Sequence, residues 1–236
     1  MSRYGMVIDT RKCVGCNDCV VACKTENNVP VGYNRDWIVT ESFGKFPDIN
    51  MEIRTERCNH CSETPCVSCC PTGASHIHDV GGVVLVDHHK CIGCKACVEA
   101  CPYDARFIHP DGYADKCTFC IHRVEKGENP ACVNVCPTYC MHFGDLDDPN
   151  SEVSKLLNSR KYHVLIPDAG TQPNIFYLAE GIEKKTVLVF RFHLLVSFCL
   201  AQVCLLCSLI LHTNHLYGDF IQHFNLHLQC RGVPGF

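Results

Sequence analysis

Residues Cys91 to Pro102 read Cys-Ile-Gly-Cys-Lys-Ala-Cys-Val-Glu-Ala-Cys-Pro. Four cysteines stand at x₂, x₂ and x₃ spacing, and a proline follows the last. Such a run wraps its first three thiolates, Cys91, Cys94 and Cys97, around one face of a metal cluster in a short loop. The fourth, Cys101, is expected to start a short helix and point away, toward a neighbouring cluster. One run of this kind therefore implies a second, and the chain carries four.

The other three surround it in sequence. The first is Cys13, Cys16, Cys19, Cys23, with the same spacing but Lys24 in place of the proline. The second is Cys58-x₂-Cys61-x₄-Cys66-x₃-Cys70-Pro71, and the fourth is Cys117-x₂-Cys120-x₁₁-Cys132-x₃-Cys136-Pro137. Runs one and three are compact, whereas two and four carry inserted loops. The repeat reaches beyond the cysteines. Tyr4–Asp9 and Val83–Asp87 read as short strands, each ending in an aspartate four residues before a run. After Cys70, Cys101 and Cys136 come a small residue at +4 (Ala74, Ala105, Cys140) and a large apolar one at +7 (Ile77, Ile108, Phe143). That pattern predicts a return strand packed over the cluster. The repeating unit is thus strand, cysteine loop, short helix, return strand. Residues 25–57, which hold the only tryptophan, Trp37, read as a linker. Residues 145–180 read as a surface turn, a helix near Ser151–Leu157 and an extended stretch to Leu178.

Composition points the same way. The 236 residues include 22 cysteines, a number that means disulfides in a short secreted chain and metal in a reducing compartment. The net charge of −4 has no basic tract within it, which excludes nucleic acid as a partner. The N-terminus, Met1-Ser2-Arg3-Tyr4-Gly5, shows no apolar segment of a signal peptide. Disulfides would not need four runs of near-identical internal spacing, and pairing across two residues is strained. Zinc takes two separated cysteine pairs rather than a triplet with a fourth cysteine before proline. The spacing selects [4Fe–4S], and four runs of four supply sixteen ligands. Spacing alone does not decide which runs pair, because either scheme joins a compact run to a looped one. Six cysteines fall outside the pattern. Cys69 adjoins Cys70, which has the spacing and the proline; Cys140 reads as a small buried thiol, and Cys199, Cys204, Cys207 and Cys230 as apolar fillers. His60 and His122 are candidate hydrogen-bond donors beside clusters, weighed against structural or solvated roles. No nucleophile–base constellation or phosphate-cradling loop is present, so the chemistry implied is outer-sphere electron transfer.

These segments resemble the four-cluster iron–sulfur subunits of the molybdopterin oxidoreductases. Cys13-Val14-Gly15-Cys16, Ala22–Asn27, Cys58-Asn59-His60-Cys61, Cys70–Ala74, Lys116–Cys120, Ala131–Thr138, Gly144–Pro149 and Gly170–Pro173 carry the likeness, over about residues 3–180. Ala100–Pro110 and Cys136–Cys140 look most like the polysulfide or thiosulfate reductase electron-transfer subunit. The resemblance implies an α+β fold of two pseudo-symmetric ferredoxin-like modules. One module is residues 1–57 with 103–180, holding runs one and four; the other, 58–102, is inserted and holds runs two and three. It also implies the ligand sets: Cys13, Cys16, Cys19 and Cys136 for cluster 1; Cys23, Cys117, Cys120 and Cys132 for cluster 2; Cys58, Cys61, Cys66 and Cys101 for cluster 3; Cys70, Cys91, Cys94 and Cys97 for cluster 4. The implied cofactors are four [4Fe–4S] clusters. The implied partners are a molybdopterin catalytic subunit and an integral membrane quinone-binding subunit. The implied location is the membrane, on its extracytoplasmic side by co-export with the catalytic subunit. The alternative is a free-standing polyferredoxin.

The tail, 181–236, departs from that pattern. Leu194–Leu211 is 18 residues without a charge, at the lower limit for a membrane span, so a C-terminal anchor helix is expected around 190–212. Lys184, Lys185 and Arg191 precede it, which by charge bias would place the cysteine-rich part on the cytoplasmic side.

Overall fold

The computed structural model describes residues 2–178. In order, the elements are β1 (Tyr4–Asp9), α1 (Asp18–Glu26), β2 (Asp36–Lys45), β3 (Asp48–Arg57), α2 (Pro65–Ser68), β4 (Ser75–Ile77), β5 (Val84–Val86) and α3 (Ala96–Glu99). They continue with β6 (Phe107–Ile108), β7 (Ala114–Asp115), α4 (Ile121–Val124), α5 (Ala131–Asn134), β8 (Met141–Asp145), α6 (Glu152–Ser159), β9 (Tyr162–His163) and β10 (Ile175–Leu178). A 3₁₀ turn at Pro167–Ala169 stands within the stretch expected to be mostly extended.

The strands follow the cysteine repeat. Each antiparallel pair carries the chain out of one run and into the next: β2 with β3, β4 with β5, β6 with β7. The fourth pair closes the circuit, because β8 returns from run four and lies antiparallel to β1, which opens run one, with Met6 opposite Phe143. The region expected as a linker, 25–57, is therefore the longest hairpin of the molecule, with ten residues in each strand. Its alternation is weak at the tip, where Phe46, Ile49 and Met51 are exposed, and that hid it from a pattern reading. Return strands appear where the +4 and +7 offsets placed them. The +4 residues Ala74, Ala105 and Cys140 are buried. The +7 prediction fails at Ile77, which is 49% exposed because β4 is short and its hairpin lies at the surface.

One expectation about the runs is corrected. The fourth cysteine does not start the short helix; in runs two, three and four the helix begins one residue before the third cysteine and ends before the fourth. α2, α3 and α5 end before Cys70, Cys101 and Cys136. Proline is the reason: its ring disfavours helical backbone at the residue before it, so Pro71, Pro102 and Pro137 stop each helix ahead of the cysteine. In run one Lys24 replaces the proline, and α1 continues through Cys23 to Glu26.

The aspartate before each compact run also has a local cause. Asp9 Oδ1 accepts from the Arg11 N–H at 3.3 Å, and its carbonyl accepts from Lys12 N–H at 3.0 Å. Asp87 Oδ1 accepts from His89 N–H at 2.9 Å and Lys90 N–H at 3.3 Å, and its carbonyl from Cys91 N–H at 3.1 Å. A short carboxylate bonded to backbone two residues on turns the chain out of the strand and into the loop.

β1 is apolar on both faces because both are covered. It is central in the sheet β8-β1-β10-β9, with β10 parallel to it. Met6 and Ile8 pack with Cys19, Cys58, Phe119 and Cys132 on one face, while Val7 packs with Val153 of α6 and Leu178 on the other. α6 is set by Ser151, whose hydroxyl accepts from the Ser154 N–H at 3.1 Å, and it lays Val153, Leu156 and Leu157 on the sheet at helical spacing.

Candidate metal centres

The sixteen cysteines gather in four sets, each drawn from two runs. Cys70, Cys91, Cys94 and Cys97 line one small cavity. Cys23, Cys117, Cys120 and Cys132 line a second. Cys13, Cys16, Cys19 and Cys136 line a third, with the extra thiol Cys140 in its wall. Cys58, Cys61, Cys66 and Cys101 lie within electrostatic reach of one another. Among the described residues no three His, Cys, Asp or Glu side chains stand close enough to share one metal ion. Four thiols around a cavity suit the corners of a cubane better than a tetrahedral zinc site.

The loops hold their cysteines by a common backbone device. The residue before the second cysteine of every run is left-handed: Gly15 at φ +68°, His60 at +42°, Gly93 at +65° and Phe119 at +51°. Glycine adopts this freely, and the compact runs use it. In the looped runs two bulky residues accept the strain, and they stack on each other with ring centroids 3.8 Å apart and planes 23° off parallel. Backbone N–H groups then point at the sulfurs. Ala114 N–H lies 3.3 Å from Cys91 Sγ, and Ser75 N–H and Cys140 N–H lie 3.4 Å from Cys70 Sγ and Cys136 Sγ.

Burial opposes ionisation of several of these thiols. Burial pushes Cys19 and Cys23 up to about 12, and Cys61 and Cys132 up to about 11. A thiolate here needs a positive partner, which iron supplies. The protein supplies cations as well, and sequence reading missed them. Arg57, Lys116 and Arg106 are 1%, 1% and 4% exposed. Arg57 Nη1 donates to Cys132 Sγ at 2.9 Å, and Arg106 Nη2 donates to Cys66 Sγ at 2.9 Å. Arg57 and Lys116 share one place in the repeat, immediately before the first cysteine of a looped run, and that was the available signal. Several buried polar atoms beside the sets have no hydrogen-bond partner among the described residues: Arg57 Nε, the Asn59 amide, His60 Nε2, and Arg106 Nε and Nη1. Buried donors are seldom left so, and sulfide and thiolate acceptors fit them.

Of the two candidate histidines, the structure favours one. His60 is buried, its Nδ1 accepts from the Val84 N–H at 3.2 Å, and its Nε2 is free to donate. Burial, with the charges of Lys116, Arg106 and Arg57, holds its pKa well below the usual imidazole range. His122 is at the surface, 2.8 Å from Glu26, and touches no cysteine set.

A family described as a 4Fe-4S dicluster domain matches residues 49–146. The arsenate respiratory reductase iron–sulfur subunit ArrB of Shewanella sp. (strain ANA-3) is 39% identical over 225 residues, spanning 75% of this chain and 96% of its own. A polysulfide reductase polypeptide of Wolinella succinogenes is 41% identical over 189 residues, spanning 77% and 98%. The chain belongs to the iron–sulfur subunits of the molybdopterin oxidoreductases. Protein NrfC of Escherichia coli (strain K12) is similar to it as well, 45% identical over 177 residues and spanning 74% and 79%. As a member of this family the chain is an electron-transfer subunit of a reductase complex, built on a ferredoxin-like dicluster domain with [4Fe–4S] clusters, and it is not the catalytic subunit. Among the described residues no helix is long and apolar enough to cross a membrane. The span expected around 190–212 lies outside the described residues.

Proposed function

We propose that this subunit binds four [4Fe–4S] clusters in the order 1, 2, 3, 4 and links a molybdopterin catalytic subunit to an integral membrane quinone-binding subunit. The ligand sets are those of the four cysteine groups. Cys13, Cys16, Cys19 and Cys136 hold cluster 1; Cys23, Cys117, Cys120 and Cys132 hold cluster 2. Cys58, Cys61, Cys66 and Cys101 hold cluster 3; Cys70, Cys91, Cys94 and Cys97 hold cluster 4. When bound, the clusters supply outer-sphere, one-electron chemistry at potentials set by charge, hydrogen bonds and exposure. Runs one and four form one ferredoxin-like module, and the inserted 58–102 segment forms the other.

The observation that carries this reading is that each group takes three cysteines from one run and the fourth from another. Exposure supports the order. Cys16 of cluster 1 and Cys94 of cluster 4 are exposed, whereas the ligands of clusters 2 and 3 are buried or half-buried. Val14 and Ile92, at matching places in the two compact loops, are 61% and 67% exposed. Apolar side chains beside the terminal clusters suit docking surfaces for the two partners. The complex is proposed to sit at the membrane on the extracytoplasmic side, carried there with its catalytic partner.

Iron and acid-labile sulfide in the purified subunit are expected at about 16 each per chain. Cys101→Ser should disturb the EPR signal of cluster 3 and spare cluster 4, although Cys101 stands in the run that holds cluster 4. A change confined to cluster 4 would sink the pairing. A free-standing polyferredoxin is the competing reading, and isolation of a stable monomer with no molybdenum protein in stoichiometric amount would favour it.

A further inference from the structure

Three of the buried cations, Arg57, Lys116 and Arg106, are not spread at random among the sixteen cysteines. Arg106 donates to Cys66 Sγ of cluster 3 at 2.9 Å and, through the same nitrogen, to Ser75 Oγ at 2.9 Å. Ser75 lines the cluster 4 cavity, and its N–H points at Cys70 Sγ of cluster 4 at 3.4 Å. Arg57 repeats this arrangement at another junction. It donates to Cys132 Sγ of cluster 2 at 2.9 Å and to Thr55 Oγ1 at 2.7 Å, and Thr55 Oγ1 is 3.6 Å from Cys19 Sγ of cluster 1. Lys116 takes the remaining junction. Its ammonium donates to the carbonyl of Cys117, a cluster 2 ligand, at 2.8 Å, and to the carbonyl of Val84. Val84 N–H in turn donates to His60, which sits between the cluster 3 ligands Cys58 and Cys61.

Full burial of a cation needs a counter-charge. For Arg57 part of it is Asp36, 3.0 Å away. The side chains of Arg106 and Lys116 bond only to sulfur, hydroxyl and carbonyl acceptors among the described residues. Two of the three nitrogens of Arg106 find no partner there at all. The anions that lie around both are cysteine ligands: Cys66, Cys58 and Cys97 around Arg106, and Cys58, Cys117 and Cys66 around Lys116. A cubane with four thiolates is a net anion, and each added electron makes it more so. A fixed cation between two of them favours the reduced state of both and weakens their mutual repulsion.

We propose that Arg57, Lys116 and Arg106 are positioning charges, one at each junction between successive clusters, which raise the potentials of the two clusters they separate. This rests on the four-cluster reading above. It ranks the junctions: Asp36 offsets Arg57, so the 1–2 junction gains least, and the 2–3 and 3–4 junctions gain most.

The test is redox-titrated EPR of the intact complex carrying Arg106→Gln or Lys116→Gln. Glutamine keeps an N–H donor and removes the charge. Arg106→Gln should shift clusters 3 and 4 toward oxidation by about tenfold, ~59 mV for a one-electron couple, and leave clusters 1 and 2 in place. Lys116→Gln should shift clusters 2 and 3 alone, and Arg106→Lys should restore most of the first shift. If Arg106→Gln sheds a cluster, Lys116→Gln decides alone. Unmoved potentials, or one equal shift of all four signals, would overturn the proposal. So would loss of clusters in both glutamine variants and in Arg106→Lys, because the residues would then be structural only. Fewer than four cubane signals in the unaltered subunit would instead refute the four-cluster reading.

Discussion

The loops that hold the cysteines depend on single residues with left-handed backbone. Gly93 and Gly15 occupy the same place in the two compact runs, yet their surroundings differ. A Cβ on Gly93 would lie 2.4 Å from the carbonyl oxygen of Gly112, whereas on Gly15 it would meet only side-chain methyls, of Ile53 at 3.2 Å and Ile38 at 3.7 Å. Left-handed backbone alone costs an L-residue about 1–2 kcal/mol. Gly15→Ala should show roughly that loss and keep its cluster. Gly93→Ala should lose more, because a backbone carbonyl cannot swing aside, and its cluster 4 signal should weaken selectively. Chemical denaturation with EPR on both variants measures the difference, and equal effects would show that the Gly112 contact relaxes. His60 and Phe119 show the opposite solution at the equivalent place: two bulky residues hold the strained turn and gain a stacked, buried pair in return.

At the scale of elements, β1 and the turn after it tie the central sheet to run one. Asp9 is the hinge of that tie. Burial raises its carboxyl pKa, but the Arg160 hydrogen bond at 2.8 Å, with the Arg160 and Arg11 charges, holds it below the usual carboxylate range. A depressed folded pKa means that the stabilisation is complete above the unfolded value, about 3.9, and is lost as pH falls through the folded one. Asp9→Asn should therefore cost about 1.5–3 kcal/mol at neutral pH and almost nothing once the parent carboxyl is protonated. Thermal melts of both proteins from pH 7 to about pH 2, below the depressed folded value, should narrow below about pH 3.9 and converge at the acid end. A constant gap across that range would mean that the loss comes from packing rather than charge.

For the molecule as a whole, the core and the metal sites are one object. Cys19, Cys58, Cys117, Cys132 and Cys136 belong to the same buried cluster as Met6, Ile8, Phe119 and Ile175. The secondary elements around them are short, and α2, α3, α4 and α5 have only four residues each, too few to persist alone. Folding free energy must then come in large part from the metal–thiolate bonds, as it does in small metal domains. Stripping iron with a chelator under reducing conditions should collapse the short helices and hairpins together, seen as loss of far-ultraviolet circular dichroism and of amide protection. A stripped chain that kept its β8-β1-β10-β9 sheet protected would show that the apolar layer under α6 folds without metal.

The sequence alone determined the chemistry here, because cysteine spacing is a local constraint. An x₂, x₂, x₃ run can present three thiolates to one cubane and little else, so the cofactor class, β1 and the return strands were legible in residues read singly. The pairing of runs was not. Either scheme joined a compact run to a looped one, and only the resemblance to a family chose between them. Local reading also misplaced the short helices, whose ends depend on the prolines after Cys70, Cys101 and Cys136. It missed the β2–β3 hairpin, whose exposed tip lacks a clean alternation. Above all it missed Arg57, Lys116 and Arg106. In sequence they are ordinary charged residues; their role depends on which sulfurs surround them, and those come from runs up to 75 residues away, as with Arg57 and Cys132. Charge acts through space, and tertiary structure brought those sulfurs to the buried cations.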